Sequence, residues 1–289
     1  MADVGPVHRL TPPGLGTTYE GHDPVLLDTI LPLVDYVETT PDSITHVVNG
    51  RAVLHEPSVR ELEAAGARVH LLLHGIGLSI GSYDGWSERY LGFVDQLMAR
   101  LPVAWHSEHL GYTRVDGENI GTMLALPRTG EMLDLVCERV RRIQQRYGKT
   151  FLLENIIHML PEYPSDYTAA GFLNALVART GCGLILDIYN LECDAHNHGF
   201  DVEAFLSELN LTPVRELHVA CGAEFRGFLL DAHSQVTRPS TVALARQVID
   251  AAGGSVRVVT FELLREAVPA VGYEGIAGEL GRLRAELCA

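Results

Sequence analysis

His74, His109, Glu154, Asp187, Asn190, His198, His218, Asp231, His233 and Glu262 are side chains of the types that bind metal ions, and they recur along the chain. Imidazole and carboxylate donors without thiolate suit iron, manganese or zinc. One ion takes roughly four to six donors, so this set predicts two or three ions bridged by carboxylates. Packed together without cations, Glu154, Asp187, Asp231 and Glu262 would repel one another strongly. The cysteines, Cys137, Cys182, Cys193, Cys221 and Cys288, form no CxxC pair, and their number is odd. They read as a reduced, cytoplasmic chain rather than a disulfide scaffold. Cys193 and Cys221 read as small buried hydrophobes.

Donors so far apart in sequence need a scaffold that gathers them. Strand-like runs occur near Leu15–Thr18, Tyr36–Thr39, Val69–His74, Val103–His109, Phe151–Glu154, Leu184–Ile188, Glu216–Ala220 and Val256–Glu262. Most are apolar or β-branched, as strands buried on both faces should be. Helical patterns lie between them. In Glu131–Tyr147, Met132, Val136, Val140 and Ile143 share one face. Val202–Leu209 and Thr241–Ala252 read alike, and Pro57-Ser58 and Pro239-Ser240 mark helix starts. This alternation predicts an α/β fold, a TIM-like (β/α)8 barrel in a single domain, the barrel proper spanning about 14–285. An open doubly wound sheet is less consistent, because no glycine fingerprint follows the first strand.

Active sites of such barrels lie at the C-terminal ends of the strands. His74 ends the third run, His109 the fourth and Glu154-Asn155 the fifth. Asp187 lies near the end of the sixth, with Asn190 three residues on and His196 and His198 in the loop after it. His218 lies in the seventh, Asp231 and His233 follow in its loop, and Glu262 ends the eighth. One polar strand end is commonly a cap, but an unbroken succession from the third strand to the eighth points to a site. Alternation lets each strand donor face the barrel axis: His74 with Leu72, His109 with Ser107, Glu154 with Leu152, Asp187 with Ile185 and Glu262 with Thr260. His106 and Glu108 then point outward. His106 and His158 read as structural, His70 as a core or supporting residue, and His8, His22, His46 and His55 as surface.

Composition sets limits. The chain has 289 residues, 47% hydrophobic and 20% charged, which fits a folded globular protein with a large core. No apolar run reaches the ~18 residues of a membrane helix, and Met1–Pro13 contains no apolar signal core. The formal charge of −15 disfavours nucleic acid as a partner.

The order and wording of these motifs are similar to one family, the multinuclear non-heme iron-dependent oxidative enzymes, which include the methanobactin-biosynthesis oxidase. The resemblance is carried by 73–81 (LHGIGLSIG), 107–110 (SEHL), 152–155 (LLEN), 186–190 (LDIYN), 195–201 (AHNHGFD), 216–218 (ELH) and 231–233 (DAH), and it spans nearly the whole chain. It implies a TIM-like barrel with two or three irons in mixed Fe(II)/Fe(III) valence and O2 as cosubstrate. His74, His109 and Glu154 would hold one iron; Glu154, Asp187, His218 and Glu262 a second; and Asn190, Asp231, His233 and His198 a third, more labile one. Glu154, Asp187 and His198 are the residues expected to take part directly in catalysis. The implied reaction oxidises a residue, most often Cys, of a ribosomally made precursor peptide during natural-product maturation. One iron would hold the substrate thiolate, and another would activate O2. Because the barrel uses nearly all of the chain and leaves little room for a peptide-recognition domain, a peptide substrate is expected to need its leader sequence or a separate partner protein for delivery. The chain departs from common family wording at Tyr189, at 219–222 (VACG) and at Leu263-Leu264, positions that bear on substrate rather than on the inferred ligands.

Two other classes compete. Xylose-isomerase-like and endonuclease-IV-like barrels use a similar run of His, Glu and Asp on zinc or manganese; of these the DNA-directed reading conflicts with the negative charge. A non-catalytic binding barrel would have to hold its carboxylates together without cations, which disfavours it.

Overall fold

Eight parallel strands close into a barrel, and each coincides with one of the runs read from the sequence. They are β1 (Gly14–Thr18), β2 (Tyr36–Thr39), β3 (His70–Gly75), β4 (Val103–His109), β5 (Phe151–Glu154), β6 (Gly183–Asp187), β7 (Val214–Val219) and β8 (Val258–Phe261). Each pairs with its neighbours in chain order, and β8 returns to β1. The structure, a computed structural model, describes residues 11–49, 51–160 and 165–289.

Helices surround the barrel: α1 (Pro24–Ile30), α2 (Glu56–Ala65), α3 (Glu88–Arg100), α4 (Gly130–Tyr147), α5 (Ala169–Thr180), α6 (Ile188–His198), α7 (Val202–Glu208), α8 (Pro239–Ala251), the short α9 (Val268–Val271) and α10 (Tyr273–Leu287). Their starts follow local chemistry. Ser87, Thr129, Thr168, Asp187 and Asp201 each cap a helix by accepting a backbone N–H three residues on. The helix α4 buries Leu133, Val136, Val140 and Ile143, while Met132 is only partly buried at the edge of that stripe.

Inside the barrel, Leu72, Trp105, Leu152, Ile185 and Val258, with Tyr36 against them, make an apolar floor. Two residues further along several strands, the inward positions turn polar, which is the period of the pleat. Register then brings donors on neighbouring strands level: His109 pairs with Glu154, and Asp187 with His218. Three antiparallel hairpins, which the apolar runs do not predict, follow β2, β4 and β7 (Thr45–Val48 with Arg51–Leu54, Gly111–Val115 with Glu118–Ala125, and Ala223–Phe225 with Phe228–Leu230). Each extends a loop on the same end of the barrel as the donors.

Candidate metal centre

The centre is built around Glu154, the last residue of β5. Its Oε2 lies 2.9 Å from His74 Nε2 and 3.4 Å from His109 Nε2, and its Oε1 lies 3.1 Å from His218 Nδ1. His218 Nδ1 is also 3.1 Å from Glu262 Oε2, and His233 Nε2 lies 2.5 Å from Asp231 Oδ1 and 3.6 Å from Glu262 Oε2. His74, Glu154, Asp187, His218 and Glu262 are all at most 5% exposed. The side chains of His109, His233 and Asp231 keep 18%, 15% and 21% exposure, so the centre opens on their side.

Backbone-directed bonds fix which nitrogen each histidine offers. His109 Nδ1 donates to the Gly75 carbonyl at 2.9 Å. His74 Nδ1 lies 2.9 Å from Ser107 Oγ, whose hydroxyl donates to the Leu73 carbonyl. Both rings therefore commit Nδ1 as a donor to the fold and turn Nε2, the nitrogen left for a metal, toward Glu154. Asp187 caps α6 through Oδ1, which accepts the Asn190 N–H, and leaves Oδ2 free. Asn155 braces this corner. It accepts the Asp187 N–H at 2.8 Å, donates to the Asp187 carbonyl at 3.0 Å, and its own carbonyl accepts from Asn190 Nδ2 at 3.2 Å. Asn190 Oδ1 is thereby left without a partner.

The electrostatics are those of a crowded anionic site. Burial alone would lower the His74 pKa, but the Glu38 and Glu154 carboxylates outweigh it and raise it to about 9. His218 and His233 are likewise pushed well up, against the effect of burial, by Glu262 with Glu38 and by Asp231 with Glu262 respectively. For Glu262 burial acts upward, yet His218 and His233 bring it down to about 2. Asp187 is driven well above the usual carboxylate range by burial and by Asp231, Glu154 and Glu262. Carboxylates that charge the imidazoles beside them, and suppress ionisation of one of their own number, leave a place for cations.

The orphaned atoms fit metal ions. His74 Nε2, Glu154 Oε2, Asp187 Oδ2, Asn190 Oδ1, Asp231 Oδ1, His233 Nε2 and Glu262 Oε2 are buried and have no hydrogen-bond partner. Close approaches such as that of His74 to Glu154 lack hydrogen-bond geometry. Within 4.8 Å of one another lie donors of His74, His109 and Glu154; of Glu154, Asp187, His218 and Glu262; and of Asp187, Asp231 and His233. The groups share Glu154 and Asp187, so ions held there would be neighbours.

His198 is not brought to the centre. The segment after β6 is the helix α6 rather than a loop. At 1.5 Å per residue, His198 sits about 16 Å along the axis from the Asp187 cap. It is exposed, with Nε2 2.6 Å from the His158 carbonyl. Asn190, in the first turn, stays close. His70 also differs from expectation: it is exposed at the start of β3, stacked on Tyr36 with ring centroids 5.0 Å apart. His106 faces outward as expected and bonds Glu108 at 3.0 Å, and His158 bonds Asp194 at 2.6 Å. His22 and His46 are exposed and His55 half-buried, while His8 lies outside the described residues. All five cysteines are free thiols. Burial together with Asp231 and Asp187 raises the Cys193 pKa and keeps it a neutral thiol, a poor metal donor.

Sequence reasoning missed Glu38 and Glu216, which lie with His218 in a further group of buried donors. The signal was present: Glu216 stands two residues before His218, on the same face of β7, and Glu38 two after the inward Tyr36 of β2.

Eight parallel strands closed into a TIM-like barrel gather imidazole and carboxylate donors at their C-terminal ends, in groups that could hold metal ions. Solved relatives in shape include D-psicose 3-epimerase from Clostridium cellulolyticum, with a TM-score of 0.61 and 12% identity over 96% of this chain and 100% of that one. Endonuclease IV from Thermus thermophilus is another, with a TM-score of 0.57 and 18% identity over 95% and 99%. At such identities the likeness concerns the fold alone. Residues 13–264 match the RiPP precursor modification enzymes MbnB/TglH/ChrH, and the chain belongs to that family. Among curated proteins, a UPF0276 protein of Rhizorhabdus wittichii is 34% identical over 247 residues, 83% of this chain and 81% of its own length. A UPF0276 protein of Caulobacter vibrioides is 34% identical over 77% of each.

Proposed function

We propose that the chain is an iron- and O2-dependent oxidoreductase that modifies a cysteine, or another residue, of a ribosomally made precursor peptide. The observation that carries this reading is the sharing of Glu154 and Asp187 between adjacent donor groups made of imidazole and carboxylate alone. Family membership supplies the peptide substrate class. Iron bound there would supply a redox couple for O2 chemistry and a Lewis acid for a substrate thiolate.

The chain's own residues would do the rest. His74 and His109 present Nε2 in fixed orientation, through their bonds to Ser107 and the Gly75 carbonyl. Glu154 offers its two oxygens to opposite sides, Oε2 toward His74 and His109 and Oε1 toward His218. Burial of Glu154, Asp187 and His218 keeps water from the inner side, so substrate approaches past His109, Asp231 and His233. A leader sequence or a separate protein would deliver the precursor peptide to that opening.

The test is to incubate the iron-loaded protein with Cys-bearing candidate precursor peptides drawn from its gene neighbourhood, with and without O2, and to follow peptide mass. A mass change that requires both iron and O2 supports the reading. A peptide unchanged by iron-loaded protein under O2, with leader and gene neighbours supplied, contradicts it.

A further inference from the structure

Beneath the donor groups, a second buried cluster faces the opposite edge of His218. Glu38 in β2 and Glu216 in β7 are at most 1% exposed. Glu38 Oε1 lies 3.5 Å and Glu216 Oε1 3.6 Å from His218 Nε2. Nδ1 of the same ring faces Glu154 and Glu262, each at 3.1 Å. The imidazole thus stands between two pairs of carboxylates.

The lower pair is not symmetrical. Glu216 is already engaged, one oxygen accepting from Trp105 Nε1 at 2.9 Å and the other from the Thr260 hydroxyl. Glu38 has no hydrogen-bond partner on either oxygen, and neither has His218 Nε2. A buried carboxylate without donors is costly, and a fold retains one where another state of the site uses it. Strand alternation turns Glu38 inward, level with Leu72 of β3, just where the apolar floor gives way to the donors.

We propose that Glu38 is a positioning residue for the metal centre: it accepts the Nε2–H of His218 and so holds Nδ1 unprotonated and aimed at the cation of the Glu154, Asp187, His218 and Glu262 group. The inference rests on the reading of that group as a cation site. A neutral imidazole that gives Nδ1 to a metal carries its one proton on Nε2, and Glu38 is the acceptor left unused for it. Negative charge behind the ring also makes Nδ1 the stronger donor. Glu38, Glu216 and His218 have the spacing of a cation site themselves. Both Glu216 oxygens are in use, however, and an ion at Nε2 would require His218 to give up both ring protons while serving the upper site.

The test uses Zn2+ alone as a diamagnetic probe, with full-length wild type and Glu38→Gln. Three quantities are read: Zn2+ affinity by chelator competition, the imidazole N–H resonances of 15N-histidine-labelled protein, and the Tm of the metal-free chain. His218→Asn assigns the resonance. The expected result is a slowly exchanging, downfield Nε2–H in Zn-loaded wild type. In Glu38→Gln it moves upfield and one ion binds ten- to a hundredfold more weakly, while the metal-free Tm does not fall. Unchanged affinity and resonance in the variant overturn the inference, and so does a lower metal-free Tm with an unchanged resonance, which marks a structural role. Loss of one whole equivalent of Zn2+ in the variant, with no Nε2–H signal in wild type, makes the cluster a cation site instead. Wild type that takes up no Zn2+ overturns the metal-centre reading together with this one; uptake by wild type and variant alike overturns this one alone.

Discussion

At the residue scale, the candidate centre turns on Glu154, because its two oxygens face different histidines. Glu154→Ala is expected to remove more than one metal ion per chain, read by mass spectrometry of the purified protein. Loss of one ion or none contradicts the bridging role. The titrating groups make a second prediction. His74 is raised to about 9, so its stabilisation of the metal-free protein is full below 6.5 and disappears as pH rises through 9. Glu262 is lowered to about 2, so its contribution is present above 4.5 and is lost as pH falls through 2. Through these two groups the metal-free chain is most stable between those limits. A cation displaces the His74 proton, so metal affinity rises with pH up to about 9 and the loaded protein resists the alkaline decline. Thermal unfolding across pH, with and without metal, checks the sign; an alkaline gain in metal-free Tm would contradict it. Donor types at strand ends were legible in the sequence because the pleat fixes which residues face inward. Glu38 was not, since a carboxylate in a short strand shows its partners only once β2 and β7 are seen across the barrel.

At the element scale, the loops decide whether donors on strands become a centre. Asp231 and His233 reach it because the chain after β7 makes a hairpin and returns against Gly222. A Cβ at Gly222 would lie 1.8 Å from the Leu230 carbonyl oxygen and 2.7 Å from the Ala232 nitrogen, both backbone atoms that cannot rotate away. His233 itself holds a left-handed φ of 38°, uncommon for a residue with a side chain and costing about 1–3 kcal/mol where it occurs. Gly222→Ala is therefore expected to displace the Asp231–His233 segment and weaken the outermost ion selectively. Metal titration would show loss of affinity at one site with the inner ions retained; uniform retention of all ions would contradict it. All eight strands could be read from apolar runs, and α4, α7 and α8 from their periods. The region 188–198 could not: its polar, histidine-rich sequence suggested a loop, whereas the Asp187 cap and the buried Leu191 and Cys193 make it a helix. That helix carries His198 away from the site.

At the scale of the whole molecule, the barrel closes only when β8 meets β1, and α10 seals that seam by burying Ile276, Leu280, Leu283 and Leu287. Leu280→Ala should cost about 2–5 kcal/mol, seen as a lower Tm whose size is the same with and without metal. A change confined to the metal-loaded form would place α10 in the site rather than in the seam. Among the described residues no helix is long and apolar enough to cross a membrane. The fold class was legible because alternating runs over this length admit few architectures, but a fold shared with epimerases and a nuclease leaves the metal open. Metal identity therefore tests the account most directly. Protein purified without oxygen, labelled with iron-57 and measured by mass spectrometry and Mössbauer spectroscopy, is predicted to hold two to three irons per chain with antiferromagnetically coupled, mixed-valent signals. Zinc or manganese at that stoichiometry, persisting after iron supplementation, or a chain with no metal at all, would contradict it.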